Sequence, residues 1–109
     1  MAEVLTLNKL RDRIDTIDAQ LVELLNGRVA CAIEIGQLKE DKGQDVYQPE
    51  RETFVLERVR NLATELAGPL TAEAASRLFE RIIDEARRAE RQTSRTSRAE
   101  AQSEKKSGE

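Results

Sequence analysis

Residues 7–42 read LNKLRDRIDTIDAQLVELLNGRVACAIEIGQLKEDK and carry the longest hydrophobic pattern in the chain. The segment contains no proline, and its apolar residues recur in steps of four and three, the pattern of a long helix with a packed seam. The residues of this apolar seam are Leu10, Ile14, Ile17, Leu21, Leu24, Cys31, Ile35 and Leu38. The step after Leu24 falls on Arg28, so a cation stands where the register predicts an apolar side chain.

The length of this helix predicts an oligomer. About 35 residues at roughly 1.5 Å each span roughly 50 Å, whereas a compact domain of this size has a radius of gyration of about 13 Å. The shorter helices that follow cannot cover so long a seam. We therefore expect an all-α fold with one long and two shorter helices per chain, intertwined as a homodimer whose long helices pair.

The composition indicates a soluble helical protein. Among 109 residues, 36% are charged and 3% are aromatic, and the net charge is −3, so nucleic acid is not expected as a partner. Histidine is absent and Cys31 is the single cysteine, which excludes a zinc site and a cysteine–histidine nucleophile. Cys31 is predicted to be a small buried hydrophobic residue of the seam. One cysteine, no signal peptide and no apolar run of membrane-spanning length predict a cytoplasmic location without membrane contact.

Two shorter helices are predicted after the long one. Residues 1–5 are predicted to be a short lead-in to the long helix, and residues 43–48 a loop after it. Pro49 then begins the second helix, because proline fits the first helical position. The turn signal at residues 67–69, Ala-Gly-Pro, ends it. Thr71 is then expected to cap a third helix.

The third helix is predicted to end at about Gln92. Beyond it, nothing larger than alanine is apolar, so we expect a disordered polar tail at residues 93–109. The folded domain is therefore assigned to residues 1–92, and a chain that ends in such a tail is expected to have a single function.

Ionisable residues interrupt the apolar stripes of two helices. Arg28 and Lys39 are 11 residues apart, a step that returns a helix to within about 20° of its start, and small or apolar side chains lie between them. On the third helix, Glu90 follows Phe79 by the same step. An arginine on a buried seam needs an anionic partner or a wet cavity. These stripes therefore predict a pocket with charged side chains on apolar walls.

The candidate pocket also draws on the first turn of the second helix and on a second chain. Arg11 lies 17 residues before Arg28, roughly 25 Å along the helix, so it can share a small ligand only with Arg28 of the partner chain. The candidate residues are Arg28, Lys39, Arg51, Glu52 and Glu90, with Arg11 from the other subunit.

Several cations facing a dry cavity suit a small polyanion, most simply a dicarboxylate, because arginine binds carboxylate bidentately and stays charged. Without a nucleophile, an imidazole or a metal, an enzyme of this kind would act by holding a conformation and stabilising developing charge. The residues alone leave two classes open, an electrostatic enzyme and a small-anion-binding helical module.

The sequence resembles the all-helical (AroQ-type) chorismate mutase family. The similarity covers about residues 7–92 and is carried by the segments LRDRIDTIDAQLVELLNGR, IEIGQLK, YQPERE and LFERIID. The resemblance implies the intertwined dimer of three-helix chains (the chorismate mutase II fold) and an isomerase of aromatic amino acid biosynthesis in the shikimate pathway. Its reaction would be the cofactor-free Claisen rearrangement of chorismate to prephenate.

The resemblance also implies residue roles. Arg28, with Arg11 of the partner chain, would bind the two carboxylates of the substrate, and Lys39 would hold a carboxylate and donate to the ether oxygen. Glu52 would accept the ring hydroxyl, while Arg51 would support the carboxylate network.

Three candidate positions depart from the bacterial pattern. Gln48 stands where an aspartate often lies near the ring hydroxyl, and Ala86 replaces a serine that contacts a carboxylate. Glu90 stands where a glutamine usually donates to the ether oxygen. An ionised Glu90 would repel the charge that develops there, so it must be protonated to help. We therefore expect activity to rise toward mildly acidic pH and Glu90→Gln to broaden the profile.

The sequence leaves related activities open. Isochorismate pyruvate lyases and mutases of 4-amino-4-deoxychorismate share the fold and nearly the same cations. A non-enzymatic helical dimerisation module is the remote alternative, and it gives no reason for Arg28 in the seam.

Overall fold

The computed structural model describes residues 6–44 and 48–107, and all regular structure in these ranges is helical. Helix α1 spans Leu7–Asp41, α2 spans Pro49–Leu66 and α3 spans Ala72–Ser107. The predicted all-α class, with three helices per chain, is confirmed. The predicted lead-in at residues 1–5 and the middle of the predicted loop, residues 45–47, lie outside the described residues.

Capping interactions and a glycine account for the points at which α1 begins and ends. The Thr6 hydroxyl accepts a hydrogen bond from the backbone N–H of Lys9 at 3.2 Å, which caps the first turn. At the other end, the N–H of Lys42 donates to the carbonyl of Leu38 at 3.2 Å. Gly43 then takes a left-handed conformation with φ of 68°, which a residue without Cβ adopts freely.

Helix α2 begins and ends where the sequence predicts. Pro49 occupies the start, and the first turn carries Glu50 and Glu52, whose charge suits the positive end of the helix dipole. The helix ends at Ala67, which is left-handed (φ 51°) and whose N–H donates to the carbonyl of Ala63 at 3.2 Å. The turn to α3 is therefore tight.

Helix α3 is longer than predicted. Thr71 caps it as expected, accepting from the N–H of Ala74 at 3.1 Å. The helix does not stop near Gln92 but continues to Ser107, so the structure departs from the predicted disordered tail over residues 93–107. The physical reason is local: no glycine or proline occurs between residues 72 and 107, and alanine, glutamate, lysine and arginine there favour helix without needing a core.

Helix α3 packs against both α1 and α2, and small residues bring them close. The buried side chains are Val59, Ala63, Ala75, Ile83 and Ala86, and Gly36 is the buried residue of α1. Near the turn between them, Arg60 of α2 pairs with Glu73 of α3 at 3.3 Å. This packing fixes the second half of α1 against α3 and the start of α2 beside them.

The first half of α1 extends beyond this packing. The chain measures 77 × 31 × 16 Å with a radius of gyration of 19.8 Å, well above the roughly 13 Å of a compact domain of this size. The apolar seam of α1 is left uncovered within the chain, with exposures from 40% at Leu10 to 71% at Leu24. Cys31 is exposed as well, so its predicted burial is not met within one chain, because neither α2 nor α3 covers the seam there. Within the described residues, no helix is long and apolar enough to cross a membrane.

Candidate functional site

A cavity of about 620 Å³ lies where the three helices meet. From α1 it is lined by Arg28, Cys31, Ala32, Ile35, Gly36 and Lys39. The start of α2 contributes Gln48, Arg51, Glu52 and Val55, and α3 contributes Ile83, Ala86, Arg87, Glu90 and Arg91. A cavity of this size holds a small organic molecule.

Charge gives the cavity its chemical character. Five cations line it, from three helices: Arg28, Lys39, Arg51, Arg87 and Arg91. Two carboxylates, those of Glu52 and Glu90, oppose them, so five minus two leaves three positive charges when both are ionised. Between the charges lie apolar side chains such as Ile35 and Ile83, which weaken screening by water. The arrangement suits a small molecule that carries more than one negative charge and an apolar body.

Two of the cations lie over aromatic rings. The guanidinium carbon of Arg28 is 5.8 Å from the centroid of the Phe79 ring on α3, and that of Arg51 is 5.0 Å from the Phe54 ring. Both distances fall within the range of cation–π attraction. Arg28 is half-buried, so the cation that interrupts the apolar seam lies at the cavity wall against α3.

Glu52 is held by a residue of another helix. Its Oε1 is ion-paired with Nη2 of Arg87 on α3, and Nη1 of Arg87 lies 3.6 Å from the Asp84 carboxylate. The Glu52 side chain is 25% exposed and that of Arg87 is 37% exposed. This ion pair therefore joins the first turn of α2 to α3 at the cavity wall.

Glu90 lies where α3 packs over the buried Gly36 of α1. A Cβ atom placed on Gly36 would be 3.5 Å from Oε2 of Glu90, an ordinary van der Waals contact, so the carboxyl group lies directly over this part of α1. Burial raises the pKa of Glu90 above the ordinary carboxyl value, and the charges of Lys39, Arg87 and Arg91 offset part of that rise. The protonated form of Glu90 is thus favoured more than in a solvated glutamate.

Seven of the eight residues selected from the sequence line this one cavity: Arg28, Lys39, Gln48, Arg51, Glu52, Ala86 and Glu90. The eighth, Arg11, is exposed on the uncovered half of α1 and is not part of the cavity wall. The structure thus brings together residues from α1, the start of α2 and α3.

Two charged cavity residues, Arg87 and Arg91, were not among the residues selected from the sequence, although both line the cavity. A signal was present: Arg87 lies four residues after Ile83, and Arg91 four residues after Arg87, so both continue a helical stripe that begins with a buried side chain. Because arginine is also common on the solvated faces of helices, this spacing alone does not identify the two residues as part of a cavity.

The fold and the cavity define an all-α domain with a cation-rich pocket. The family model described as chorismate mutase type II matches residues 10–91. The chain belongs to the type II chorismate mutase family.

Named relatives agree with this assignment. A bifunctional chorismate mutase/prephenate dehydratase of Neisseria gonorrhoeae is 44% identical over 81 residues, covering 74% of this chain and 21% of the relative. A T-protein of Enterobacter agglomerans is 39% identical over 66 residues, 61% of this chain and 18% of the relative. A chorismate mutase of Methanocaldococcus jannaschii is 32% identical over 59 residues, 54% of this chain and 60% of the relative. The chain thus spans about a fifth of the length of the Neisseria relative.

Proposed function

We propose that this protein is a chorismate mutase that converts chorismate to prephenate. The observation that carries the proposal is the single cavity in which Arg28, Lys39 and Arg51 converge with two carboxylates, in a chain that belongs to this family. Chorismate is a dicarboxylate with a small apolar ring, which matches the charge and the walls of the cavity. The proposed role is a step of aromatic amino acid biosynthesis.

To catalyse this reaction, a protein must hold the substrate in one conformation and stabilise the charge that develops in it. One C–O bond of the substrate breaks while one C–C bond forms within the same molecule, so no atom enters or leaves. Negative charge gathers on the ether oxygen in a compact chair-like transition state. A site accelerates this reaction by holding both carboxylates in that shape and placing donors at the ether oxygen.

The cavity residues fit these tasks. Arg28, supported by Phe79, would bind one carboxylate, and Lys39 would hold a carboxylate and donate to the ether oxygen. Glu90, in its protonated form, would be the second donor there. Glu52 would accept the ring hydroxyl and Arg51 would support the carboxylate network. Gln48 and Ala86 would form the adjoining wall, where the amide of Gln48 can accept a hydrogen bond and Ala86 cannot.

The second carboxylate is assigned to Arg11 of a partner chain in a homodimer. The apolar seam of α1 is uncovered within the chain, and burying such a seam against a second copy is favourable at about 25 cal/mol per Å². Arg11 lies on the same exposed half of α1. Two chains paired through their long helices would cover the seam and bring Arg11 of each to the cavity of the other.

The test is to follow the loss of chorismate in the ultraviolet, with the product identified, beside parallel reactions with isochorismate and 4-amino-4-deoxychorismate. Prephenate from chorismate supports the proposal. Pyruvate and salicylate from isochorismate, with only trace mutase activity, would replace it with the lyase activity. Turnover of 4-amino-4-deoxychorismate alone would assign the protein to the mutases of that compound. No turnover of any of the three substrates would overturn the enzymatic proposal.

Arg28→Ala separates the enzyme from a helical dimerisation module. Loss of a charged donor at a preorganised site should lower kcat/KM by roughly 10²–10³-fold, with the helical circular dichroism and thermal unfolding close to wild type. Arg77→Ala, an exposed arginine of α3 outside the cavity, is the matched control and should keep wild-type activity. A module without catalysis would show no difference between the two variants except in stability.

A further inference from the structure

Arg87 and Arg91 are the two cations of the cavity wall to which the proposed reaction gives no role; the geometry of Arg87 points to one. Arg87 is one of several arginines on α3, but it alone among them pairs with a residue of α2 in the described ion pairs, through Nη2 to Oε1 of Glu52. The neighbouring Arg88 points elsewhere: it is exposed and pairs within its own helix with Glu85 at 3.9 Å. Arg87 therefore has a place in the site that its neighbour does not share.

The geometry leaves Glu52 able to bind a ligand. A carboxylate has two oxygens and about four acceptor directions, and the ion pair with Arg87 engages Oε1. The guanidinium is a planar fork with donors at fixed angles, so it orients the carboxylate it binds. It is itself held from the other side by Asp84, with 3.6 Å between Nη1 and Oδ1. Glu52 is thereby fixed while part of its acceptor capacity stays available to the cavity.

The position of Glu52 in the chain explains why such support matters. Glu52 lies in the first turn of α2, which begins at Pro49 directly after a connecting segment. The side chain of Gln48, which precedes the helix, makes no capping hydrogen bond. First turns without a side-chain cap are the least firmly held part of a helix. The ion pair to α3 supplies a tertiary restraint at that point.

We propose that Arg87 is a positioning residue that holds the Glu52 carboxylate at the cavity wall, so that Glu52 can accept the hydroxyl group of the substrate. This inference rests on the proposed function, because it takes the substrate to carry that hydroxyl. Arg87 acts through Glu52, and its own guanidinium is engaged by two carboxylates of the protein. Its removal should therefore weaken substrate binding rather than the chemical step.

The experiment is a double-mutant cycle between Arg87→Gln and Glu52→Gln, measured as kcat and KM for chorismate. Arg87→Gln alone should raise KM about five- to tenfold with kcat within about twofold, because the lost interaction serves ground state and transition state alike. In the Glu52→Gln background the same change should have almost no further effect. Arg87→Lys, which keeps the charge, should recover part of the loss. Arg88→Gln, the matched control, should keep the wild-type KM.

The outcomes separate this inference from the function beneath it. A wild-type protein that does not convert chorismate would overturn both. An active wild type in which Arg87→Gln behaves like Arg88→Gln would overturn the positioning role alone. A KM increase that persists undiminished in the Glu52→Gln background would also overturn it, since Arg87 would then contact the substrate directly. If Arg87→Gln does not fold, Arg87→Lys in both backgrounds runs the same cycle.

Discussion

The carboxyl group of Glu90 on α3 packs against Gly36 of α1, where a Cβ atom would lie 3.5 Å from Oε2 and 3.7 Å from the carboxyl carbon. Gly36 is the buried residue of α1. The half-buried carboxyl group of Glu90 thus packs over the bare backbone of Gly36, with room for a methyl group in ordinary van der Waals contact. The same burial raises the pKa of Glu90, so the local packing of two helices and the protonation of a candidate catalytic group are linked.

The first prediction is that activity falls as pH rises through the raised pKa of Glu90. If the protonated form donates to the ether oxygen, kcat/KM is highest below that pKa. The groups that face Glu90 are Lys39 on α1 and Arg87 and Arg91 on α3, with Glu52 of α2 on the same cavity wall. The cations lower the pKa, but burial outweighs them, which sets the direction of the shift.

The measurement is kcat/KM for chorismate from about pH 5 to about pH 8, a range that spans a raised carboxyl pKa. Glu90→Gln, which is neutral and can donate at every pH, should remove the decline and broaden the profile. Glu80→Gln, an exposed carboxyl group of the same helix, should leave the profile unchanged. A wild-type rate that is flat over the whole range would refute the role assigned to protonated Glu90.

The second prediction concerns Gly36→Ala. The added methyl group meets the Glu90 carboxyl group at ordinary contact distance, so it excludes water there and should raise the pKa of Glu90 further. The decline in activity should therefore move to higher pH. Alanine also favours helix over glycine, so the free energy of unfolding should stay level or rise by about 0.5–1 kcal/mol.

Gly27→Ala is the matched control for this substitution. Gly27 also lies inside α1, and a Cβ atom there has no neighbour within 4 Å in the described part of the chain. It should give the same gain in helix stability with a wild-type pH profile. If Gly36→Ala and Gly27→Ala share one pH profile, the link between Gly36 and Glu90 is wrong.

Much of the site follows from helical spacing. The 11-residue step between Arg28 and Lys39 predicts that both side chains project from one face, and the structure places both on the cavity wall. Pro49 likewise marks the start of α2, which brings Arg51 and Glu52 to the cavity. These predictions succeed because each depends on geometry within a single helix, which sequence determines locally.

What sequence does not predict depends on how one helix meets another. Arg87 and Arg88 are adjacent and identical in type, yet one lines the cavity and the other is exposed. Helical spacing places Arg87 on the stripe of Ile83, but whether that stripe opens onto a cavity depends on how α1 and α2 meet α3. The predicted end of α3 differs from the observed end for another reason. Apolar periodicity indicates where a helix is packed and not where it ends. Residues 93–107 carry no large apolar side chain but do favour helix.

The third prediction is that a chain ending after Gln92 retains activity, because Arg91 is the last residue of the chain that lines the cavity. The described side-chain hydrogen bond between helices that this truncation removes runs from the hydroxyl of Ser94 to Oε1 of Glu40 at 2.9 Å. It is exposed, so its loss should cost at most about 1 kcal/mol in the free energy of unfolding. Both kcat/KM and thermal unfolding should therefore lie close to those of the full chain.

Ser94→Ala in the full chain is the control for that truncation, because it removes the hydrogen bond and keeps the rest of α3. The truncated chain and Ser94→Ala should show the same small change in unfolding. A tenfold drop in kcat/KM on truncation, absent from Ser94→Ala, would mean that residues 93–109 belong to the functional domain.

The fourth prediction tests whether Arg11 of one chain completes the cavity of another. Within one chain Arg11 and Arg28 are 17 residues apart on the same helix, roughly 25 Å along its axis, too far to share one small ligand. Arg11→Ala and Arg28→Ala should each abolish most activity as pure proteins. When the two variants are mixed and allowed to exchange subunits, half of the dimers become hybrids. Each hybrid then has one site with both arginines and one site with neither, so the mixture should recover about a quarter of wild-type activity.

The hybrid experiment distinguishes an Arg11 that serves the cavity of the partner chain from one that serves its own, because only the first arrangement restores activity on mixing. If Arg11 served the cavity of its own chain, every site in the hybrid would still lack one arginine, and mixing would restore nothing. The control uses Arg13→Ala in place of Arg11→Ala. Arg13 is an exposed arginine two residues along the same helix, and this variant should be active before mixing. Recovery on mixing, measured as prephenate formed per total protein, therefore requires both a dimer and a site built from two chains.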